Sequence, residues 1–192
     1  MKSTTHVLFI QGAGTGSYKE DEKLMSDLRQ NLGPQYIVHY PAMEGEEDAD
    51  YDTWARQIES EVDKMDPPII LVGHSVGASI IIKLLSEREL QKTIGGVFLI
   101  AAPFWGGRKG WTFEGYETLE LPPDVSLNVN EEVPIFFYHS RDDRTVPFAH
   151  VAYYAQVIPR ARIREFEGRG HQLNNDLSEV ADDIKKIGLG SI

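Results

Sequence analysis

The amino-acid sequence predicts an α/β protein: a doubly wound, mostly parallel six-stranded sheet flanked by helices. Short apolar runs alternate with stretches of helical period along the chain. Several of the runs are almost continuously apolar, as strands covered on both faces must be. No repeat or linker interrupts the 192 residues, a length that suits one domain spanning 1–192 with a sizeable core. Alternation of this kind needs right-handed crossovers and yields a parallel sheet with helices on both sides.

The expected strands are Val7–Ile10, Tyr36–Tyr40, Ile69–Val72, Gly96–Ala101, Ile135–His139 and Arg162–Phe166. Between them, Leu24, Leu28 and Leu32 form a stripe that stops at Gly33-Pro34. Trp54, Ile58, Val62 and Met65 share a helix face, with Asp52 or Thr53 as the expected cap. A helical run from Ala78 to Leu85 follows the third strand. Phe148, Val151, Ala155 and Ile158 repeat the apolar pattern after Pro147, a residue suited to a first helical turn. Leu177, Val180, Ile184 and Ile187 do so again, with Gly188 as the expected stop. The irregular stretch 103–132 leaves the carboxyl end of a strand and carries Phe104, Trp105, Trp111, Phe113 and Tyr116. Loops beyond about 15 residues are uncommon, so a lid or pocket wall and an excursion packed on its own aromatics are both open readings.

Composition removes several classes of function. Thirty acidic against nineteen basic residues give a formal net charge of −11, which argues against nucleic-acid and anionic-membrane partners. The chain has no cysteine, excluding a disulfide scaffold, a thiolate metal site and a catalytic thiol. No apolar run approaches the roughly 18 residues needed to span a bilayer. The first residues show no signal-peptide core, so a cytoplasmic location is the expectation.

The chemistry centres on one turn. Ile69-Ile70-Leu71-Val72 leads into Gly73-His74-Ser75-Val76-Gly77 and then into a helix, a strand–turn–helix with a serine at its apex. Small residues two positions either side let so sharp a turn form, and the serine hydroxyl then projects from the carboxyl edge of the sheet. The Val76 amide, at the helix N-terminus, points where an oxyanion would develop. Ser75 is therefore the candidate nucleophile. A serine needs a base, and the base an orienting acid. His171 follows the last strand in Glu167-Gly168-Arg169-Gly170-His171, where the order Ser, acid, His demands it; His150 is placed on the polar face of a helix instead. The acid belongs after the strand ending at His139, where Asp142 and Asp143 are adjacent and spacing does not choose between them. The first strand runs into Gln11-Gly12-Ala13-Gly14-Thr15-Gly16-Ser17, the position of a second oxyanion donor. This turn misses a dinucleotide fingerprint, since Ser17 replaces its final glycine and no acid ends the second strand. Nor is it a P-loop. His139, Asp142 and Asp143 have metal-ligand side chains but match no ligand spacing, so neither metal nor cofactor is expected.

Gly73-His74-Ser75-Val76-Gly77, Asp143-Arg144-Thr145-Val146-Pro147 and Gly170-His171 resemble the three signatures of α/β-hydrolases, spread over nearly the whole chain. The short length and the stretch Ala101-Ala102-Pro103-Phe104-Trp105 are similar to the small serine hydrolases related to retinoblastoma-binding protein nine and its bacterial relatives. The resemblance implies a reduced α/β-hydrolase fold. It implies Asp143 rather than Asp142 as the acid, because the family acid precedes x-x-hydrophobic-Pro, and an Ala13 amide in the oxyanion hole. The retinoblastoma-binding motif needs a cysteine, so that partnership does not carry over.

The expectation is a serine hydrolase cleaving a carboxylic ester or amide of a small acyl substrate through an acyl-enzyme, carboxylesterase-like in type. Phe104, Trp105 and Trp111 are the candidate pocket residues. A binding or regulatory protein on a hydrolase scaffold is the alternative. Lyase or peroxidase chemistry is a weaker option, and a dehalogenase prefers aspartate where Ser75 stands.

Overall fold

The computed structural model describes residues 4–106, 110–122 and 125–189. Among these residues six strands, β1 (Thr5–Ile10), β2 (Tyr36–His39), β3 (Ile69–His74), β4 (Ile94–Ile100), β5 (Ile135–Ser140) and β6 (Arg162–Phe166), form one sheet in the order β2-β1-β3-β4-β5-β6. Every pairing is parallel. Among the described residues, five α-helices accompany them: α1 (Ser17–Leu32), α2 (Tyr51–Asp63), α3 (Val76–Glu87), α4 (Ala149–Val157) and α5 (Ser178–Leu189). All six expected strands are present, each end within two residues of the expected one and β6 matching at both ends.

Strand alternation splits the core between the two faces. Leu8, Ile10, Ile69 and Leu71 pack with Trp54 and Ile58 of α2, Ile80, Ile81 and Leu84 of α3, and Val151 and Tyr154 of α4. Val7, Phe9, Ile70 and Val72 pack on the other face with Leu24 and Leu28 of α1 and Val180 and Ile184 of α5. β1 connects outward to β2, and the chain then returns to β3 on the other side of β1. The carboxyl ends of β1 and β3 therefore flank the point where the winding reverses, which is where open α/β sheets place their ligand crevice.

Three local expectations are corrected. The cap of α2 is Asp50, whose carboxylate accepts from the Thr53 amide at 2.9 Å, not Asp52 or Thr53; both lie inside the helix. Pro147 stands ahead of α4, its carbonyl accepting from His150 in a tighter turn. Gly188 does not stop α5, which runs on to Leu189.

The stretch 103–132 falls partly outside the described residues, at 107–109 and 123–124. Its described part closes a small turn, with Trp111 donating to Phe104 O and Gly106 to Trp111 O, both at 2.8 Å. Phe104, Trp111 and Tyr116 pack against the α2–α3–α4 side of the core, which includes Trp105 and Leu119.

Candidate active site

β3 delivers Ser75 to the carboxyl edge in a strained conformation, φ 51° and ψ −125°. Non-glycine residues rarely occupy positive φ, at a cost of about 1–3 kcal/mol. The apex is held by the Ser75 amide on Ile100 O at 2.8 Å and by the Ser75 carbonyl, which accepts from Ala78 and Ser79. Ser75 is partly exposed between buried neighbours. The turn depends on Gly77: a Cβ there would stand 2.1 Å from Gln11 O and 2.8 Å from Ile10 O. Both obstacles are backbone, so relief would require moving the end of β1. Gly77→Ala is expected to cost about 3 kcal/mol or more, lowering Tm by about 6–12 °C for a chain of this length. Differential scanning calorimetry checks this, and a wild-type Tm would contradict the close approach.

Val76 opens α3, so its amide has no acceptor within the helix. Ala13 follows β1, and among the described residues its amide has no hydrogen-bond acceptor. Around it the turn is braced by Glu46. That carboxylate accepts from Gly16 N at 2.7 Å, Tyr18 N at 2.9 Å, Gln11 Nε2 at 2.9 Å and Ser17 Oγ at 3.1 Å. Glu46 thus occupies the N-terminus of α1, where a nucleotide phosphate would otherwise sit. The Tyr18 and Gly16 amides hold its carboxyl below the usual range.

His171 enters on a loop in which Gly168 and Gly170 take φ of 70° and 59°. Its Nδ1 lies 2.8 Å from Asp143 Oδ2. The two neighbouring aspartates part company here. Asp143 is fully buried and accepts from the Thr145 and Val146 amides on Oδ1 at 2.8 and 2.9 Å. His139 Nε2 stands 3.3 Å from Oδ2. Burial opposes the Asp143 charge, but the hydrogen bonds from His139 and His171 outweigh it and hold the carboxyl well below the usual range. Asp142 instead accepts from Ser140 Oγ at 2.5 Å and from the Gly170 amide at 3.1 Å, bracing the loop that carries His171.

Sequence reading missed a second acid–histidine pair. His74 Nδ1 lies 2.8 Å from Asp21 Oδ2, and both side chains are buried. Asp21 sits on the apolar stripe of α1, three, four and seven residues before Leu24, Met25 and Leu28. An acid on such a stripe needs a buried partner, and that is the signal available in the sequence.

The aromatic candidates pack on one another and on α4. Trp105 stacks on Tyr116 with centroids 4.7 Å apart and meets Trp111 edge-on at 5.5 Å. Phe104 meets Tyr154 at 5.0 Å, and Trp111 meets His150 at 5.2 Å. Trp105 is 3% exposed, and its buried Nε1 has no acceptor among the described residues.

These contacts correct the placement of His150. It is buried, not on a polar face, because Phe104 and Trp111 cover it. Its Nδ1 accepts from the Phe104 amide at 2.8 Å, so the neutral ring carries its proton on Nε2. Burial pushes the group down to about 4. A histidine depressed from about 6.5 on folding stabilises the fold above pH 6.5 and loses that contribution as pH falls to about 4. The expected loss is about 3 kcal/mol. Urea unfolding of wild type and His150→Gln at pH 8 and near pH 4 checks it; the same pH dependence in both proteins would contradict it.

A parallel six-stranded sheet with a Gly-x-Ser-x-Gly turn at its carboxyl edge defines the α/β-hydrolase class. The chain belongs to the serine hydrolase family, which it matches over residues 18–177. Solved structures agree on the fold. The ydeN gene product of B. subtilis is similar at 19% identity and TM-score 0.64, covering 96% of this chain and 98% of that one. Est1E from Butyrivibrio proteoclasticus is similar at 15% identity and TM-score 0.66, over 98% and 88%. A serine hydrolase from the polyaromatic-hydrocarbon-degrading Cycloclasticus zankles is similar at 15% identity and TM-score 0.69, over 98% and 90%. A search of curated proteins returns no match. Among the described residues no helix is long and apolar enough to cross a membrane.

Proposed function

We propose that this serine hydrolase cleaves a carboxylic ester or amide of a small acyl substrate, with Ser75 as nucleophile, His171 as general base and Asp143 as its orienting acid. The observation that carries this reading is the buried Asp143 carboxylate 2.8 Å from His171 Nδ1, on a loop beside the strained Ser75 turn. With Nδ1–H committed to Asp143, the lone pair of His171 is on Nε2, the atom that must take the serine proton. Ser75 Oγ attacks the acyl carbon while His171 Nε2 removes its proton. The Val76 and Ala13 amides donate to the oxygen that gains charge. Collapse expels the alcohol, protonated by His171. Water, deprotonated in turn by His171, then releases the acid and restores Ser75.

The reading is supported by the supply of unspent amides at Val76 and Ala13, and by the internal use of Asp142. The aromatics Phe104, Trp105 and Trp111 line the acyl side in this proposal, and the chain works as one domain, its two cores sharing one sheet. A fluorophosphonate probe should label wild type and leave Ser75→Ala unlabelled; equal labelling of both would sink the assignment. A p-nitrophenyl ester series of increasing acyl length then reports the size of the acyl site.

His171 must be neutral to act. Burial lowers its pKa; the Asp143 hydrogen bond opposes this and the neighbouring His74 adds to it, with a net fall below the ordinary 6.5. Activity is therefore expected to persist as pH drops through 6.5 and to be lost below it. A kcat/KM profile flat to about pH 4 would contradict a histidine base.

A further inference from the structure

Asp21, His74 and Gln172 come from three different segments, α1, the Ser75 turn and the His171 loop, and converge on one buried carboxylate. Asp21 Oδ2 accepts from the Gly12 amide at 2.8 Å and faces His74 Nδ1 at 2.8 Å; Oδ1 accepts from Gln172 Nε2 at 3.0 Å. The other nitrogen of His74, Nε2, lies 3.2 Å from the His171 carbonyl oxygen. Both ring nitrogens of His74 therefore face acceptors. A neutral ring has one proton and one lone pair, and either tautomer would aim that lone pair at a carboxylate or a carbonyl oxygen. Only the imidazolium donates to both. Its charge is compensated by Asp21, as a buried charge requires.

We propose that Asp21 and His74 form a permanent buried ion pair that positions the His171 loop and keeps His171 unprotonated at working pH. His74 and Asp21 are positioning residues: they act through His171. The inference rests on the reading of His171 as the base. The rings of His74 and His171 are 4.8 Å apart, so a fixed positive charge on one disfavours a second on the other. The titratable groups facing His171 are Asp143 from the loop after β5, His74 from the turn and Asp21 from α1. Those facing His74 are Asp21, Asp143 and His171. Tyr40, stacked on Tyr18, lies in the field of Asp21 and is held neutral by burial. The same carboxylate also fixes Gly12, so the turn carrying Ala13, the turn carrying Ser75 and the loop carrying His171 share one anchor.

The direct test is ¹⁵N NMR of the histidine rings in the full chain, with the His74 signals identified by their loss in His74→Gln. The proposal expects both His74 nitrogens to be protonated at pH 8, and one to become bare in Asp21→Asn. A wild-type His74 with one bare nitrogen at pH 8 overturns the ion pair. The second arm is the kcat/KM profile of His74→Gln on a p-nitrophenyl ester. The acid limb should move up by about half a pH unit or more, with plateau kcat reduced by no more than about tenfold. A lowered Tm with an unmoved limb would show a purely structural role and overturn the electrostatic one. If wild type neither turns over ester nor takes the fluorophosphonate, the hydrolase reading fails instead; the NMR result still decides the ion pair.

Discussion

Ser75→Ala is expected to lower kcat for ester hydrolysis by about 10⁴- to 10⁶-fold, with Tm close to wild type. The size follows from the chemistry. No other hydroxyl is carried at the apex of the β3–α3 turn, and the proposed covalent intermediate and proton transfer through His171 both need it. The strained φ of 51° at this residue applies to alanine as much as to serine, so the substitution brings no new backbone conflict. What remains, on the proposed mechanism, is the rate that the Val76 and Ala13 amides would give to attack by water. Because the residues act as a unit, His171→Ala should cost nearly as much alone, and the double variant little more than either. Initial rates on a p-nitrophenyl ester, beside calorimetry of each protein, check this. A Ser75→Ala enzyme retaining a tenth of wild-type kcat would contradict the assigned nucleophile.

Asp143→Asn and Asp142→Asn should separate by about three orders of magnitude. An amide at 143 can still accept from Thr145 and Val146, the partners of Oδ1. It cannot offer a carboxylate to His171 Nδ1. With an NH₂ facing that nitrogen, the ring is driven to the tautomer whose proton sits on Nε2, and the proposed base is lost. Loss of about 10⁴ in kcat follows. At 142 the demands are milder, since one oxygen accepts from Ser140 Oγ and the Gly170 amide, and the asparagine oxygen supplies the same acceptor. A fall of about tenfold or less is expected there, from a looser His171 loop. The reverse ranking in kcat/KM at pH 8 would transfer the acid to Asp142.

The strands were legible because they are buried on both faces and read as unbroken apolar runs. The strained turn at Ser75 was legible because a sharp turn demands small residues at fixed offsets, and the His171 loop because its glycines follow the last strand. What escaped depends on contacts between distant segments. His150 has the surroundings of a surface residue in sequence, and Phe104 and Trp111, from a stretch without periodicity, cover it. The cap of α2 was misplaced because Asp50, Tyr51, Asp52 and Thr53 stand together, and three of the four are able caps. Asp142 and Asp143 differ by one residue and by no local propensity. Their separation comes from β5 and the His171 loop meeting in space. Glu46 has an exposed loop composition around it, and nothing nearby signals its approach to α1.

In the proposed reaction an acyl group passes through Ser75. Mixing enzyme with excess p-nitrophenyl acetate, quenching in acid within the first turnovers and mapping the peptides by mass spectrometry tests it directly. One added acetyl is expected, localised to Ser75, absent from Ser75→Ala and accumulating in step with a burst of p-nitrophenolate. Rapid turnover with Ser75 unmodified and the acetyl on another residue would contradict it.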